Sequence, residues 1–399
     1  MGWTALLWAV LLAQPGWSTG DGVLGRIEVL APQHGPRVVY RPMAAPLLVA
    51  VRLSVPVEEG PGTRGATRLL YELVRRRLEA GASAVGARIE FETGPAHAAY
   101  ALVGPRESFE AMIALLRRAV ARPAATPGEV AGMRTRLERE ALAALELPGA
   151  RIRVGLLAAL FGASDTAGLA PVPDSLTTPA LEWFWRRYYV PERMTAVVVG
   201  AVSREAAAEA FADWPAPPPP SPLAGPAGKE SPAALPPPQS VSRWAGVGWS
   251  IEGGNAAALA VASALVTREL AGTGLARARA EVWWGAGRIG FVAIGSVLPD
   301  ADSSAAPTPT LRLVIERIAT ELRAEDVAGA RRALWHDMLF DARTPMGLAS
   351  LIGRFAERTG DPHAAAGFLD ALLRVDADHV RAALLDLLHE SPAVVEVGP

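Results

Sequence analysis

A stretch rich in Pro, Ala and Gly, running from about residue 215 to residue 240, divides this chain into two parts. It contains the runs Pro215-Ala216-Pro217-Pro218-Pro219-Pro220 and Pro236-Pro237-Pro238. Because Pro fixes the backbone φ angle and removes a hydrogen-bond donor, such a stretch favours a stiff linker over a packed core. A chain of 399 residues is also too long for one typical domain. We therefore predict two domains, residues 24–214 and 241–399, joined by a linker at residues 215–240.

Both predicted domains show the same order of elements: a strand, a helix, a pair of strands, further helices and a closing strand. The first domain has predicted strands at 47–56, 87–93, 98–103 and 194–199, a preceding hairpin at 26–30 and 37–40, and helices at 66–80, 108–122, 127–146 and 178–189. The second has predicted strands at 244–251, 280–284, 290–297 and 394–397, and helices at 255–270, 311–323 and 328–339. The shared order predicts a duplicated α/β (α+β) domain, each copy a mixed or mainly antiparallel sheet with helices packed on one face.

Composition excludes several classes of function. The net charge is −2, so no global field attracts nucleic acid or an anionic membrane. The chain has no Cys, which excludes disulfides, thiolate metal sites and Cys nucleophiles. Its one G-x-S-x-G sequence, at residues 16–20, lies in the predicted signal peptide and lacks the strand–turn–helix context of a Ser nucleophile. It has no phosphate-binding G-x-x-x-x-G-K-[ST] loop, because its single Lys, Lys229, lies in the predicted linker.

The N-terminus predicts export. Residues 3–13 are an apolar run, and small and turn-forming residues follow up to Gly20. This pattern is typical of a signal peptide at residues 1–20, and the run is too short to span a bilayer. It predicts secretion across the inner membrane and a periplasmic location, with no membrane span after signal removal. The region before the run has no Lys or Arg, so a frayed hydrophobic tail or a misassigned start stays open as an alternative.

Several stretches of the first domain, taken in order, resemble the pitrilysin/insulinase family of zinc peptidases, which includes the mitochondrial processing peptidases. The resemblance lies in the order of the pieces, since each is common alone. It covers nearly the whole chain after the signal. The pieces are the strand 49–56 with Glu59-Gly60 and Gly65-Ala66, the strands at 86–90 and 97–103, Arg187-Tyr188-Tyr189-Val190-Pro191, and Thr195-Ala196-Val197-Val198-Val199-Gly200.

The resemblance implies a zinc site that this chain has lost. Family members carry H-x-x-E-H at the start of a helix, where two His bind zinc and the Glu activates the bound water. Arg68, Tyr71 and Glu72 stand at those three places. The family's third ligand is a Glu on a later helix, and Glu140 matches it best, with Glu138 as the alternative. Because Arg cannot lose its proton to become a ligand, we expect no catalytic metal and no cofactor in this chain.

The second domain of the family contributes an Arg and a Tyr to the active site of the partner chain. Arg268 stands at the Arg position here, with a two-residue insertion after it, and Arg277 replaces the Tyr. The resemblance thus makes Arg268 and Arg277 the candidate substrate-binding residues. A solvated cation at a helix C-terminus is the alternative for Arg268. His97 is expected to face the same region as the lost motif, as a surface or strand-end residue.

Together with the lost ligands, the resemblance implies a non-catalytic subunit of a heterodimeric zinc metallopeptidase. The partners implied are a zinc-bearing homologue and an extended peptide substrate, with no nucleic acid. The chain would complete the substrate chamber and would have peptidase activity only in complex. Two alternatives stay open: a structural or assembly module with the same fold and no role in proteolysis, and an autonomous enzyme with rewired chemistry.

Overall fold

The computed structural model describes residues 23–44, 47–60, 62–94, 96–162, 172–173, 176–221, 240, 242–284, 288–298 and 306–398. The predicted signal peptide and most of the predicted linker lie outside these residues. Within the described ranges, the structure contains no helix with the length and apolar character needed to cross a bilayer.

The first domain is built on a six-stranded mixed sheet, sheet 1, with the strand order β1-β2-β6-β3-β5-β4. Only β2 and β6 run parallel, and every other neighbouring pair is antiparallel. Its strands are β1 (Glu28–Leu30), β2 (Arg37–Pro42), β3 (Leu48–Pro56), β4 (Arg88–Gly94), β5 (His97–Pro105) and β6 (Thr195–Gly200). The predicted hairpin and all four predicted strands of this domain are therefore present.

One face of sheet 1 is covered by helices of the same domain. Its helices are α1 (Ala66–Ala82), α2 (Phe109–Val120), α3 (Pro127–Leu145), α4 (Pro148–Phe161), α5 (Thr178–Tyr188) and α6 (Arg204–Ala210). Helices α1, α2, α3 and α5 contribute to the main hydrophobic core together with alternate residues of the strands. Helix α3 begins at a capping box in which Thr126 and Glu129 satisfy each other's backbone N–H groups.

The second domain repeats this plan around a four-stranded antiparallel sheet, sheet 2. Its strands are β7 (Arg243–Glu252), β8 (Ala276–Trp284), β9 (Arg288–Val297) and β10 (Ala393–Val397). Its helices are α7 (Ala256–Leu270), α8 (Pro307–Glu321), α9 (Ala324–Asp341), α10 (Pro345–Thr359), α11 (Ala364–Arg374) and α12 (Ala377–His389). The order β10-β7-β9-β8 matches β6-β3-β5-β4 strand for strand, as the shared element order predicts.

One helix of each domain packs on the sheet of the other domain, an arrangement that the sequence does not predict. Helix α10 packs on the face of sheet 1 that α1 leaves open, where Ala349 and Ile352 meet Ala50 and Val199. Helix α4 packs in the same way on sheet 2, where Ile152, Leu156 and Leu160 join the core. The sheets thus have their own helices on one face and a helix of the other domain on the opposite face.

The two exchanged helices share a spacing of glycines, G-x5-G-x6-G. The glycines are Gly149, Gly155 and Gly162 for α4 and 347, 353 and 360 for α10, and the last of each set directly follows the helix. The central glycine allows a close approach in each helix. A Cβ on Gly155 would lie 2.9 Å from a methyl group of Val395, and one on Gly353 would lie 2.6 Å from Nε of Arg52.

We expect Gly200→Ala to destabilise the fold strongly. Gly200 ends β6 with a φ of 141°, and a Cβ there would lie 2.5 Å from the carbonyl oxygen of Leu48. Backbone strain and overpacking together should lower the free energy of unfolding by about 2–4 kcal/mol, measured by urea unfolding. Gly132→Ala is the control, because nothing lies within 4 Å of that added Cβ on α3. It should raise stability by about 0.5–1 kcal/mol. Equal effects of both changes would contradict this account.

Candidate functional site

Helix α1 carries the three motif positions, and its N-terminus is held by a carboxylate from the preceding loop. Glu59 accepts the backbone N–H of Gly65 at 2.7 Å and that of Thr67 at 2.8 Å. Gly65 has a φ of 81°, and a Cβ there would lie 2.9 Å from Val172. A negative charge at a helix N-terminus is stabilising, so this loop fixes where α1 begins.

Ion pairs between α1 and α3 occupy the position where the family resemblance implies zinc ligands. Arg68 and Glu72 lie one turn apart on α1, and Arg136 and Glu140 lie one turn apart on α3. The Arg68 guanidinium is 3.6 Å from Glu140 Oε2, and Arg136 donates to Glu72 at 2.8 Å. Arg75 also donates to Glu72 at 2.8 Å. Of the two carboxylates considered for the third ligand, Glu140 is therefore the one that contacts the motif.

The charges at this site are fixed by their partners. Burial raises the pKa of Glu72, but hydrogen bonds from Arg75 and Arg136 outweigh burial and bring that pKa below its usual value. Burial lowers the pKa of the Arg68 guanidinium, while Glu140 and Glu72 oppose that change. Glu72 is thus a carboxylate and Arg68 a cation near neutral pH. The two ion pairs, Arg68 with Glu140 and Glu72 with Arg136, form a clamp between α1 and α3 and leave no open coordination site there.

Tyr71 stands where the general base of the family would be, and it is built into an aromatic cluster. Its ring stacks on Tyr100 with centroids 6.1 Å apart and meets the edge of Phe91 at 5.8 Å. Burial raises the pKa of the Tyr71 phenol, so it is neutral and unable to act as a base near pH 7. Behind it, the hydroxyls of Tyr100 and Tyr189 are 2.6 Å apart in the core.

The residues at this site do not fit a zinc ion. A catalytic zinc site needs three protein ligands, and here one is a guanidinium and the others are engaged with arginines. Across the part of the chain that the structure describes, no group of three or more His, Cys, Asp or Glu side chains is arranged to hold a metal.

The two candidate substrate-binding arginines make separate contacts. Arg268, near the end of α7, donates to Asp326 at the start of α9 at 2.7 Å and is 58% exposed. Arg277 has a φ of 52° beside a register irregularity in β8, and its guanidinium lies over the ring of Trp244 at 5.8 Å. The structure places both on the second domain and does not bring them into contact with Arg68 or Glu72.

His97 does not face the lost motif, so that expectation is wrong. It lies at the start of β5, where Ala98 and Tyr100 point into the core beneath α1. Side chains alternate along a strand, so His97 points to the opposite face. There its Nε2 lies 3.3 Å from Glu357 Oε2 on α10.

That opposite face contains a buried polar cluster that the sequence analysis missed. At its centre Arg52, 3% exposed, pairs with Glu357, 6% exposed. The signal is visible in β3, where Arg52 and Ser54 alternate with apolar residues in an otherwise hydrophobic strand. A buried charge in such a strand requires a partner from another element, which the sequence alone does not identify.

Comparison with known proteins agrees with this architecture. Residues 175–281 match the family model of the peptidase M16 inactive domain. No curated protein sequence matches the chain. A protease from Helicobacter pylori has a similar structure, with a TM-score of 0.80 and 13% identity over 94% of this chain and 100% of that chain. The peptidase M16 inactive domain from Pseudomonas fluorescens gives a TM-score of 0.73 and 15% identity over 94% of this chain and 98% of that chain.

At these identities, the similar structures show the fold. The two-domain peptidase fold is confirmed, and the match to the family model confirms the resemblance to pitrilysin-like peptidases.

Proposed function

We propose that this chain, a pitrilysin-like peptidase homologue whose zinc motif is replaced, is the non-catalytic subunit of a heterodimeric zinc metallopeptidase. The observation that carries the proposal is the clamp between α1 and α3. Arg68 pairs with Glu140 and Glu72 pairs with Arg136, so the helices keep their places without a metal. A subunit that retains the wall of a chamber and lacks the chemistry suits an accessory role, in which zinc is bound only by the partner.

The open edge of sheet 1 supports a role in holding an extended peptide. Strand β4 is the last strand of the sheet and pairs with β5 in unbroken register from Arg88 to Gly94. An edge of this kind can add a peptide as a further strand. The equivalent edge, β8, is irregular between Ala276 and Arg279, and bulges of this type discourage strand addition. We therefore assign peptide positioning to β4, beside Tyr71 and Phe91.

Arg268 and Arg277 are our candidates for contacts with the substrate in the partner's site. Both side chains are exposed, and a guanidinium binds peptide carbonyl and carboxylate groups through charge-assisted hydrogen bonds. Arg268 must exchange its present hydrogen bond to Asp326 for one to the peptide. Its exposure makes that exchange inexpensive, since exposed ion pairs contribute little stability.

Arg268→Ala is expected to lower kcat/KM of the assembled pair by about 10- to 100-fold, which is the contribution of a charge-assisted hydrogen bond of about 1.5–3 kcal/mol. Assembly, followed by size-exclusion chromatography, should not change. Arg317→Ala is the matched control and should leave activity unchanged. Arg317, on α8, is a similarly exposed arginine, and its partner Glu269 is the neighbour of Arg268 on α7. If both variants retain full activity, Arg268 is only a solvated cation at the end of a helix.

We further propose that the chain is exported and works in the periplasm, after removal of the predicted signal peptide. Co-expression with a zinc-bearing homologue tests the central proposal, and we expect one copy of each chain in a stable complex. If the chain does not bind such a homologue and instead co-purifies with an unrelated assembly, the result would support the alternative of a structural module with no role in proteolysis.

A further inference from the structure

Seven polar side chains meet between sheet 1 and α10. Arg52 lies at the centre, and its Nε and Nη2 donate to the Glu357 carboxylate at 2.8–3.1 Å. Its Nη1 donates to Glu92 at 3.1 Å. Gly353 lets the guanidinium lie against the helix backbone, since a Cβ there would lie 2.6 Å from Nε of Arg52. We call this group the latch cluster, and its members are Arg52, Ser54, Glu92, His97, Arg354, Glu357 and Arg358.

The latch cluster connects the two domains. Arg354 on α10 donates to Glu92 on β4 at 2.9 Å, and Ser54 on β3 donates to Glu357. Arg358 lies over the ring of Trp284 on β8 at 5.3 Å. The cluster therefore lies where sheet 1, α10 and the edge strand of sheet 2 meet, and its contacts hold α10 in place.

One member of the cluster, His97, is a largely buried imidazole, 16% exposed, with two carboxylates and two guanidinium groups around it. Nε2 of His97 lies 3.3 Å from Glu357 and 3.9 Å from Glu92, and it has no hydrogen-bond partner of good geometry among the described residues. The cations of Arg52 and Arg358 also act on it. Burial lowers the pKa of His97, and the two carboxylates only partly offset this effect. The imidazole is therefore neutral near pH 7.

The equivalent contact made by α4 on sheet 2 is different in kind. When the glycines of the two exchanged helices are aligned, Leu156, Ala159 and Leu160 occupy the places of Arg354, Glu357 and Arg358. Leu156 and Leu160 are buried in an apolar core. The α4 ion pair, between Arg153 and Glu281, lies at the rim, where Arg153 is 40% exposed. Over sheet 1, the buried Glu357 stands in the place of Ala159 and pairs with the buried Arg52, while Arg354 and Arg358 are exposed at the edge of the contact.

We propose that the latch cluster is a pH-sensitive latch, which holds α10 against sheet 1 at neutral pH and loosens that contact in mild acid. Replacing buried ion pairs by apolar residues is often neutral or stabilising, so stability alone does not account for this cluster. A pH-dependent contact between the domains does account for it, because the cluster combines an imidazole with two carboxylates at the junction.

The direction of the pH effect follows from proton counts. A histidine whose pKa is lowered in the closed state binds fewer protons there than when α10 is released. The closed state therefore loses stability as pH falls through the ordinary His pKa of about 6.5. For Glu92, burial raises the pKa, but Arg52 and Arg354 outweigh burial and lower it. Glu92 therefore stabilises the closed state as a carboxylate, and this contribution is lost only when pH falls below the ordinary pKa of a glutamate, which is well below that of histidine.

Amide hydrogen exchange of the full chain tests the latch. Between pH 7.5 and pH 5.5, corrected for intrinsic exchange rates, protection of α10 should fall by up to about tenfold, which is the limit for one histidine with an ordinary pKa of about 6.5. Protection of α4 should stay unchanged. His97→Gln removes the titrating group and should abolish the loss in α10. His379→Gln is the matched control, because His379 also lies beside a carboxylate, 2.7 Å from Asp376, but is exposed and remote from α10.

Glu357→Gln supplies a second, independent test. It removes one charge from the centre of the cluster and should reduce α10 protection at pH 7.5 as well, with α4 again unchanged. Equal losses of protection in α10 and α4 on acidification would indicate global unfolding and would overturn the latch. The latch would equally be excluded by a pH response that survives His97→Gln.

Discussion

Replacing Arg68, Tyr71 and Glu72 with His, Glu and His, together with Arg136→Ala, is expected to create a zinc site in this chain. The reason is geometric, because positions 68 and 72 already face Glu140 and Arg136 across the α1–α3 contact. Two imidazoles and the Glu140 carboxylate would supply the three protein ligands of a catalytic zinc. We expect one zinc per chain with a Kd of about 1 μM or tighter, equivalent to about 8 kcal/mol, by metal analysis and calorimetry.

Arg136 lies beside the expected metal position, so restoring the motif alone does not remove every obstacle to zinc binding. Its guanidinium now donates to Glu72 at 2.8 Å. With imidazoles in place it would still lie 3.7 Å from Glu140, would compete with the metal for that carboxylate and would oppose binding by its charge. The triple change alone should therefore bind zinc much more weakly than the quadruple change. Glu140→Gln in the quadruple variant should remove zinc again. Tight zinc binding that survives this change would show that Glu140 is not the third ligand position.

A zinc-bearing partner is expected to lose at least about 100-fold in peptidase activity when this chain is absent. Half of a chamber can neither fix an extended peptide nor exclude water from the zinc. Small errors in substrate position already cost factors of this size. The regular edge of β4 and the exposed Arg268 are the features of this chain that we expect to supply the missing contacts.

The sequence predicts the repeated plan of the fold because the information is local. Apolar periodicity and turn residues identify β3, α1, β4 and β5, and the same order recurs from β7 onward. Recognising that order also placed Arg68, Tyr71 and Glu72 on the motif-bearing helix. The ion pairs that hold them could not be predicted, because pairing of α1 with α3 depends on tertiary packing.

The exchanged helices were missed for a related reason. Pro148 indicates the end of α3, and it is also the first residue of α4, since Pro is tolerated in the first turn of a helix. Helix α10 begins in the same way at Pro345. Even with both helices recognised, nothing in their sequences specifies which sheet each one covers. Only Glu357, which follows the buried Phe355 and Ala356, indicates a buried partner for α10.

The face assigned to His97 was wrong because of strand parity. A shift of one residue along a strand moves a side chain to the other face of the sheet. The alternation of Ala98, Tyr100 and Leu102 in the core determines that parity. His97 thus belongs to the latch cluster and not to the region of the lost motif.

Peptidase activity of a purified zinc-bearing homologue, measured on a fluorogenic peptide with and without this chain, tests the central claim most directly. The chain alone should cleave nothing and should contain no stoichiometric zinc. Adding it to the homologue should raise kcat/KM by about 100-fold or more, saturating at one chain per homologue. A homologue that is fully active alone, and is unchanged by a chain that has been shown to bind it, would contradict the accessory role.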